Sequence, residues 1–274
     1  MQGTIDCLNM KTPEEQNIIN NYKIFNITNM NTQITIDKME HLKLKGMKQA
    51  YQAIVTMPTQ EQPSIHQFIA RLIEAEEQSR LNKKTEMYLK LSKLRYNVVL
   101  EEINCSTERN FTKDDLLELA DCSFIKRAEN ILITGATGCG KSYLACALGR
   151  QACSFGNRVL YFGMIRLLEK ISQSKLDGTY MNLLNHIEKT DLIIIDDFGV
   201  HPLDPISRLT LLQILEDRYG KKSIIITSQL PVGKWYEYIG DSTIADAIMD
   251  RLTGSATRIE LEGDTMRKKL RKKV

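Results

Sequence analysis

The chain lacks any apolar run long enough to cross a bilayer, and residues 1–29 lack the charged-then-apolar pattern of a secretory signal. The expectation is a cytoplasmic chain with no membrane partner. It also lacks a C-x-x-C pair. Its six cysteines (Cys7, Cys105, Cys122, Cys139, Cys146 and Cys153) fit neither a zinc site nor a disulfide framework. Reduced thiols follow from that spacing, with Cys146 and Cys153 as small buried hydrophobes and Cys139 as a thiol open to reagents. Internal repeats are absent. So are helix-turn-helix and zinc-finger signatures, so any contact with nucleic acid should tolerate sequence.

What is present suits an ordinary globular protein: 274 residues, 42% hydrophobic and 26% charged. That length buries one full core with a smaller appendage, or two modest domains. The net charge of +3 is unevenly placed. The tail Arg267-Lys268-Lys269-Leu270-Arg271-Lys272-Lys273 holds six cations, leaving 31 of the 37 basic residues against 34 acids in the rest. A second basic stretch carries Arg80, Lys83, Lys84, Lys90, Lys93 and Arg95, opposed there by Glu86. Such stretches are often plain solvated faces; two of them beside a nucleotide site point toward nucleic acid.

That nucleotide site is the strongest feature. Gly135-Ala136-Thr137-Gly138-Cys139-Gly140-Lys141-Ser142 matches G-x-x-x-x-G-K-[ST]. A β-branched run, Asn130-Ile131-Leu132-Ile133-Thr134, precedes it, and a helical run begins at Tyr143. Strand, glycine turn and helix start form the context in which this motif binds phosphate. Backbone N–H groups from Gly135 through Tyr143 supply positive potential, Lys141 reaches the β- and γ-phosphates, and the Ser142 hydroxyl is the expected Mg²⁺ ligand.

The wider pattern predicts an α/β fold. Residues 1–29, rich in Asn, read as disordered or as a non-native extension, with Met30 a candidate start. Residues 30–96 read as a small helical domain, with a break at Gly46 and a helix opened by Ser64 and Gln67. In that helix Ile65, Phe68, Ile69, Leu72 and Ile73 make one apolar face. Residues 97–129 read as a lead-in containing a cap at Thr112, and 266–274 as a basic tail. Across 130–265 strands alternate with helices, the signature of a parallel sheet covered on both faces.

Two further pieces of chemistry lie there. Leu192-Ile193-Ile194-Ile195 empties into Asp196-Asp197, as a Walker B strand does. Asp196 is placed to hold the Mg²⁺ shell, and Asp197 to orient or deprotonate the attacking water. The strand Ile224-Ile225-Ile226-Thr227 ends in Ser228 and Gln229. Either could sense the γ-phosphate, and spacing does not rank them. Arg251 ends a helix capped by Asp241; it is either an arginine finger reaching a neighbour's nucleotide or a surface partner of Asp246 or Asp250.

Together with Asp191–Gly199, Arg218-Tyr219-Gly220, Ile226–Pro231, Trp235–Asp241 and Asp246–Leu252, the glycine loop resembles the IstB-type helper ATPases of insertion sequences. These are AAA+ relatives of the DnaC-type helicase loaders. The likeness runs from about residue 33 to 268. It implies a P-loop AAA+ domain behind a small helical domain, with ATP and Mg²⁺ as cofactors. It further implies that subunits multimerise on duplex DNA and assist a transposase in choosing target DNA; a DnaC-like helicase loader is the alternative. By motif position it makes Asp197 the water-activating acid, Gln229 or Ser228 the sensor, Arg251 the trans-acting finger and Arg267 a candidate second sensor. Asp197 stands where many AAA+ proteins carry Glu, which implies slow hydrolysis.

Overall fold

Strands β1 (Asn130–Gly135), β3 (Leu192–Phe198) and β4 (Ser223–Ser228) carry almost unbroken branched apolar runs. Such runs need burial on both faces, and a parallel sheet supplies it. In the computed structural model, which describes residues 31–266, they join β2 (Val159–Gly163) and β5 (Ala256–Leu261) in one sheet. All five strands are parallel, in the order β2-β3-β4-β1-β5. β4 therefore lies between the glycine-loop strand and the Walker B strand.

Side chains alternate across the sheet with the two-residue period of a strand. Ile131, Ile133, Ile194 and Ile225 face one core; Leu132, Ile193, Ile195, Ile224 and Ile226 face the other. The first core is covered by α6 (Lys141–Ser154), where Cys146 and Cys153 are fully buried as expected, and by the lead-in. Residues 97–129, read from sequence as a connection, give Val98, Phe111 and Phe124 to this core. They include α4 (Lys113–Ala120), opened by a Thr112–Asp115 capping box, and the short α5 (Ser123–Lys126). The second core is covered by α7 (Met164–Leu176), α8 (Tyr180–Glu188), α9 (Pro205–Arg218), α10 (Trp235–Ile239) and α11 (Ser242–Thr253).

Arg218 ties the lower rim of the sheet together. Its buried guanidinium donates to the carbonyls of Ile187, Thr190, Asp191 and Ser223 at 2.7–3.2 Å. Burial pushes its pKa down to about 10.

The chain divides into two compact units, Met1–Asn82 and Lys83–Val274, and the boundary falls inside α3 (Ile65–Ser92). In the first unit residues 31–41 are helical (α1) and α2 covers Lys45–Val55. The helix break lies at residues 42–44, before Gly46 rather than at it. Gly46 sits inside α2 because α3 crosses there: a Cβ would lie 2.1 Å from the Ala75 carbonyl oxygen. The buried Glu76 carboxylate accepts from the N–H groups of Gly46 and Met47 and pairs with Arg80. Gln67 accepts from the Ser64 N–H at 3.3 Å, as the sequence predicts.

The expected apolar face of α3 is not a buried one, since Ile65, Ile69 and Ile73 are each at least half exposed. No helix among the described residues is long and apolar enough to cross a membrane. The extension expected over 1–29, and the tail from Arg267 onward, lie outside the described residues.

Candidate nucleotide site

The glycine loop turns at the C-terminal end of β1, where the crossover to α6 begins. Two of its glycines are required by close approach. A Cβ on Gly135 (φ 141°) would lie 2.1 Å from the Leu261 carbonyl oxygen, and one on Gly138 (φ 87°) would lie 2.3 Å from Thr265 Oγ1. The segment after β5 therefore wraps the loop, and the Met266 N–H donates to the Gly138 carbonyl at 3.0 Å. Arg109 holds the loop from the lead-in, donating to the carbonyls of Cys139 and Asn104. Cys139, expected to be reactive, is enclosed by this wrapping and 1% exposed.

Lys141 is buried, its Nζ donating to the carbonyls of Gly135 (2.9 Å) and Ala136 (2.8 Å). Ser142 Oγ donates to Asp196 Oδ1 at 2.7 Å, so the loop and the Walker B strand meet. Asp196 is fully buried and accepts also from Thr227 and Tyr161. The ammonium of Lys141, the hydroxyl of Ser142 and the carboxylate of Asp196 give the loop end the three groups a metal–triphosphate requires. Burial, then the hydrogen bond to Asp196, pushes the Tyr161 phenol up, so it stays a donor at neutral pH.

Asp197 has a left-handed backbone, φ 61°, at a register shift between Ile195 and Phe198. A non-glycine residue in this region costs about 1–3 kcal/mol and needs support. The support is Thr227, whose Oγ1 accepts from the Asp197 N–H at 3.1 Å while donating to Asp196. The bulge re-aims the strand, so the Asp197 side chain is 42% exposed beside a carboxylate that is fully buried. Arg95, from the segment after α3, lies 3.4 Å from Asp196 Oδ2 and 3.5 Å from Asp197 Oδ2.

The two sensor candidates differ in placement. Ser228 is buried and committed to the backbone: its Oγ donates to the Phe198 carbonyl at 2.6 Å and accepts from the Leu230 N–H at 3.0 Å. Gln229 faces the loop, its Oε1 accepting from Thr137 Oγ1 at 2.7 Å. Next to Gln229 the Trp235 indole donates to the Leu230 carbonyl and packs on Phe198, ring centroids 4.8 Å apart. A cavity of about 420 Å³ joins these groups, reaching from Lys141, Ser142, Asp197 and Gln229 to Tyr96, Ile103, Phe111 and Tyr143. Its polar end suits phosphates and its aromatic end a base. Tyr143 belongs to that aromatic end, packing on Tyr96 at 5.8 Å.

Arg251 is elsewhere. Its backbone carbonyl accepts from Asn130 Nδ2 at the start of β1, roughly 17 Å along the strand from the glycine loop. Its guanidinium pairs with Glu216, not with Asp246 or Asp250, and donates to the Ala247 carbonyl. Sequence reasoning missed Arg95, Arg109, Tyr161 and Thr227. Only Thr227 carried a signal, as the polar end of an apolar strand running beside a Walker B segment.

The sequence profile of the family described as IstB-like ATP binding protein matches residues 37–274. A relative from Sinorhizobium fredii, y4pL, named as an insertion sequence ATP-binding protein, is 40% identical over 87% of this chain and 98% of its own length. The ATP-binding protein named for insertion sequence IS21 of Pseudomonas aeruginosa is 27% identical over 86% of this chain and 89% of its own. Among solved structures, the DnaC helicase loader superposes with a TM-score of 0.52 at 18% identity, covering 62% of this chain and 99% of that one. The replication initiator DnaA bound to AMPPCP and single-stranded DNA gives 0.53 at 23% identity, over 66% and 55%. These likenesses identify the fold as an AAA+ P-loop domain. A glycine loop closed onto a Walker B carboxylate, within a match spanning most of the sequence, establishes that the chain belongs to the IstB-like ATP-binding proteins of insertion sequences.

Proposed function

We propose that this chain is a Mg²⁺-dependent ATPase that assembles on duplex DNA and assists the transposase of its insertion sequence in choosing target DNA. The observation that carries the ATPase reading is the 2.7 Å contact between Ser142 Oγ and the buried Asp196, beside Lys141. Two hard oxygens suit Mg²⁺, which takes one or two protein ligands and completes its shell with phosphates and water. Mg²⁺, when bound, neutralises phosphate charge and polarises the transferred group.

The residues then divide the work. Lys141 turns from the Gly135 and Ala136 carbonyls toward the β- and γ-phosphates. Asp197, held outward by its bulge, orients and deprotonates water. Gln229 reads the γ-phosphate through the loop it already touches, and Ser228 fixes the strand end that carries it. Asp197 reaches one methylene less far than Glu, which favours slow turnover suited to a timed release.

Arg251, on α11 beside the start of β1, lies too far from the glycine loop to serve its own chain's phosphates, which supports a role at a neighbour's site. Nucleotide would then join subunits, and each subunit would add weak phosphate contacts along DNA through its basic stretch. The transposase as partner and the cytoplasmic setting rest on the insertion-sequence relatives.

Phosphate release by the wild-type chain, Lys141→Ala and Arg251→Ala, with and without duplex DNA, tests the reading. Wild type should hydrolyse ATP faster on DNA. Lys141→Ala should lose both nucleotide binding and assembly, and Arg251→Ala should bind ATP without turning it over. A wild-type chain that releases no phosphate under any condition contradicts the ATPase. Copurification with a replicative helicase, without duplex binding, would move the role to helicase loading.

A further inference from the structure

We propose that Arg95 is a positioning residue that latches the two Walker B acids in cis, and that duplex DNA bound to the preceding basic stretch releases it. The inference rests on the ATPase reading and names a regulator of that same site.

Arg95 reaches both carboxylates at once, at 3.4 Å and 3.5 Å. A guanidinium there neutralises the pair that a divalent ion needs. The two cations repel each other, so each is bound less tightly while the other is in place. The same contact ties Asp197 down and hinders it from serving water. Arg95 is also held from behind. Its guanidinium lies over the Tyr96 ring at 5.4 Å, and it interacts with Tyr161, which donates to Asp196.

The link to DNA is short and stiff. α3 ends at Ser92, which is fully buried with its Oγ donating to the Leu89 carbonyl at 2.7 Å. Lys93 then turns in the left-handed region (φ 55°), and Leu94 packs against α6 so closely that a Cβ on Gly149 would lie 2.9 Å from it. Arg95 comes next. Lys83, Lys84, Lys90 and Lys93 precede it within 12 residues, so phosphate contacts there act on the segment that aims the latch. An exposed ion pair with no such role would be worth little and would leave the metal unaffected.

The experiment titrates Mg²⁺ against binding of a fluorescent ATP analogue, with and without a saturating short duplex, and measures phosphate release in parallel. In the wild-type chain the duplex should lower the Mg²⁺ midpoint. Arg95→Gln should lower it roughly tenfold without DNA, a modest factor because the half-exposed guanidinium is partly screened. It should also raise DNA-free hydrolysis and abolish the effect of DNA. Arg95→Lys, which keeps the charge, should restore much of the wild-type midpoint.

An unchanged midpoint in Arg95→Gln overturns the latch, as does a wild-type midpoint indifferent to bound duplex. If Arg95→Gln does not fold, the wild-type comparison decides alone. A chain that binds nucleotide but never hydrolyses it sinks the ATPase reading, while the midpoints still decide the latch.

Discussion

Thr227→Val removes one hydroxyl and almost no volume, yet it should disable the site. The side chain is buried, so methyl replaces hydroxyl without a cavity. Two hydrogen bonds disappear. The one to the Asp196 carboxylate, as a bond to a charged group, is worth about 1.5–3 kcal/mol. The other leaves the Asp197 N–H unpaired, a loss of about 1 kcal/mol at this half-open position. A total near 3 kcal/mol results. The larger consequence is geometric: without that acceptor the left-handed Asp197 has less to hold it and relaxes toward an ordinary strand, carrying its carboxylate away. Displacement of a catalytic group by about 1 Å costs on the order of a hundredfold in rate.

Nucleotide affinity, set by the glycine loop, should change little. Steady-state phosphate release, analogue binding and urea unfolding of the same preparation test this together. Wild-type turnover in a folded Thr227→Val chain would refute the reasoning, as would destabilisation below 1 kcal/mol.

Other expectations follow from single contacts. Gly46→Ala gains about 1 kcal/mol of helix propensity but drives a methyl into the Ala75 carbonyl; the clash should win, lowering the unfolding free energy by a net of roughly 1–3 kcal/mol. Burial alone would raise the Glu76 carboxyl, but Arg80 and the N–H groups of Met47 and Gly46 outweigh it and hold it below its ordinary 4.5. A lowered folded-state pKa gives stability that is present above 4.5 and lost as pH falls through the depressed value, so the difference in melting temperature between wild type and Glu76→Gln should shrink on acidification. Among the described cysteines Cys105 alone should react with a thiol reagent before unfolding, because Cys122, Cys139, Cys146 and Cys153 are buried. Burial also pushes the Cys146 thiol up to about 11 and that of Cys153 to about 12, which slows their labelling further; mass spectrometry of labelled peptides reads which thiols are protected.

Much of the nucleotide-binding half was legible because its signals are local. A glycine loop between strand and helix, and an apolar strand ending in two acids, each occupy under ten residues and need no partner to be recognised. β5 escaped notice because it is an edge strand whose Thr257, Arg258 and Glu260 are exposed, leaving no apolar run.

Residues 97–129 resembled a linker since Val98, Phe111 and Phe124 are too scattered to show a period, though each is buried. Gly46 was misread for a physical reason: a glycine in a helix marks either a break or a close neighbour, and only the crossing of α3 tells which. Cys139 has the same explanation, since Leu261, Thr265 and Arg109, which enclose its loop, are distant in sequence. The Arg95–Asp196–Tyr161–Thr227 cluster brings together four segments, so composition and spacing could not announce it.

Light scattering of the chain on a short duplex, with Mg·ATP and then with excess chelator, bears most directly on the account. Several protomers should load together on each duplex with Mg·ATP and leave when the metal is withdrawn, and Lys141→Ala should load none. Equal masses of wild type and Lys141→Ala on DNA, with or without Mg·ATP, would contradict it.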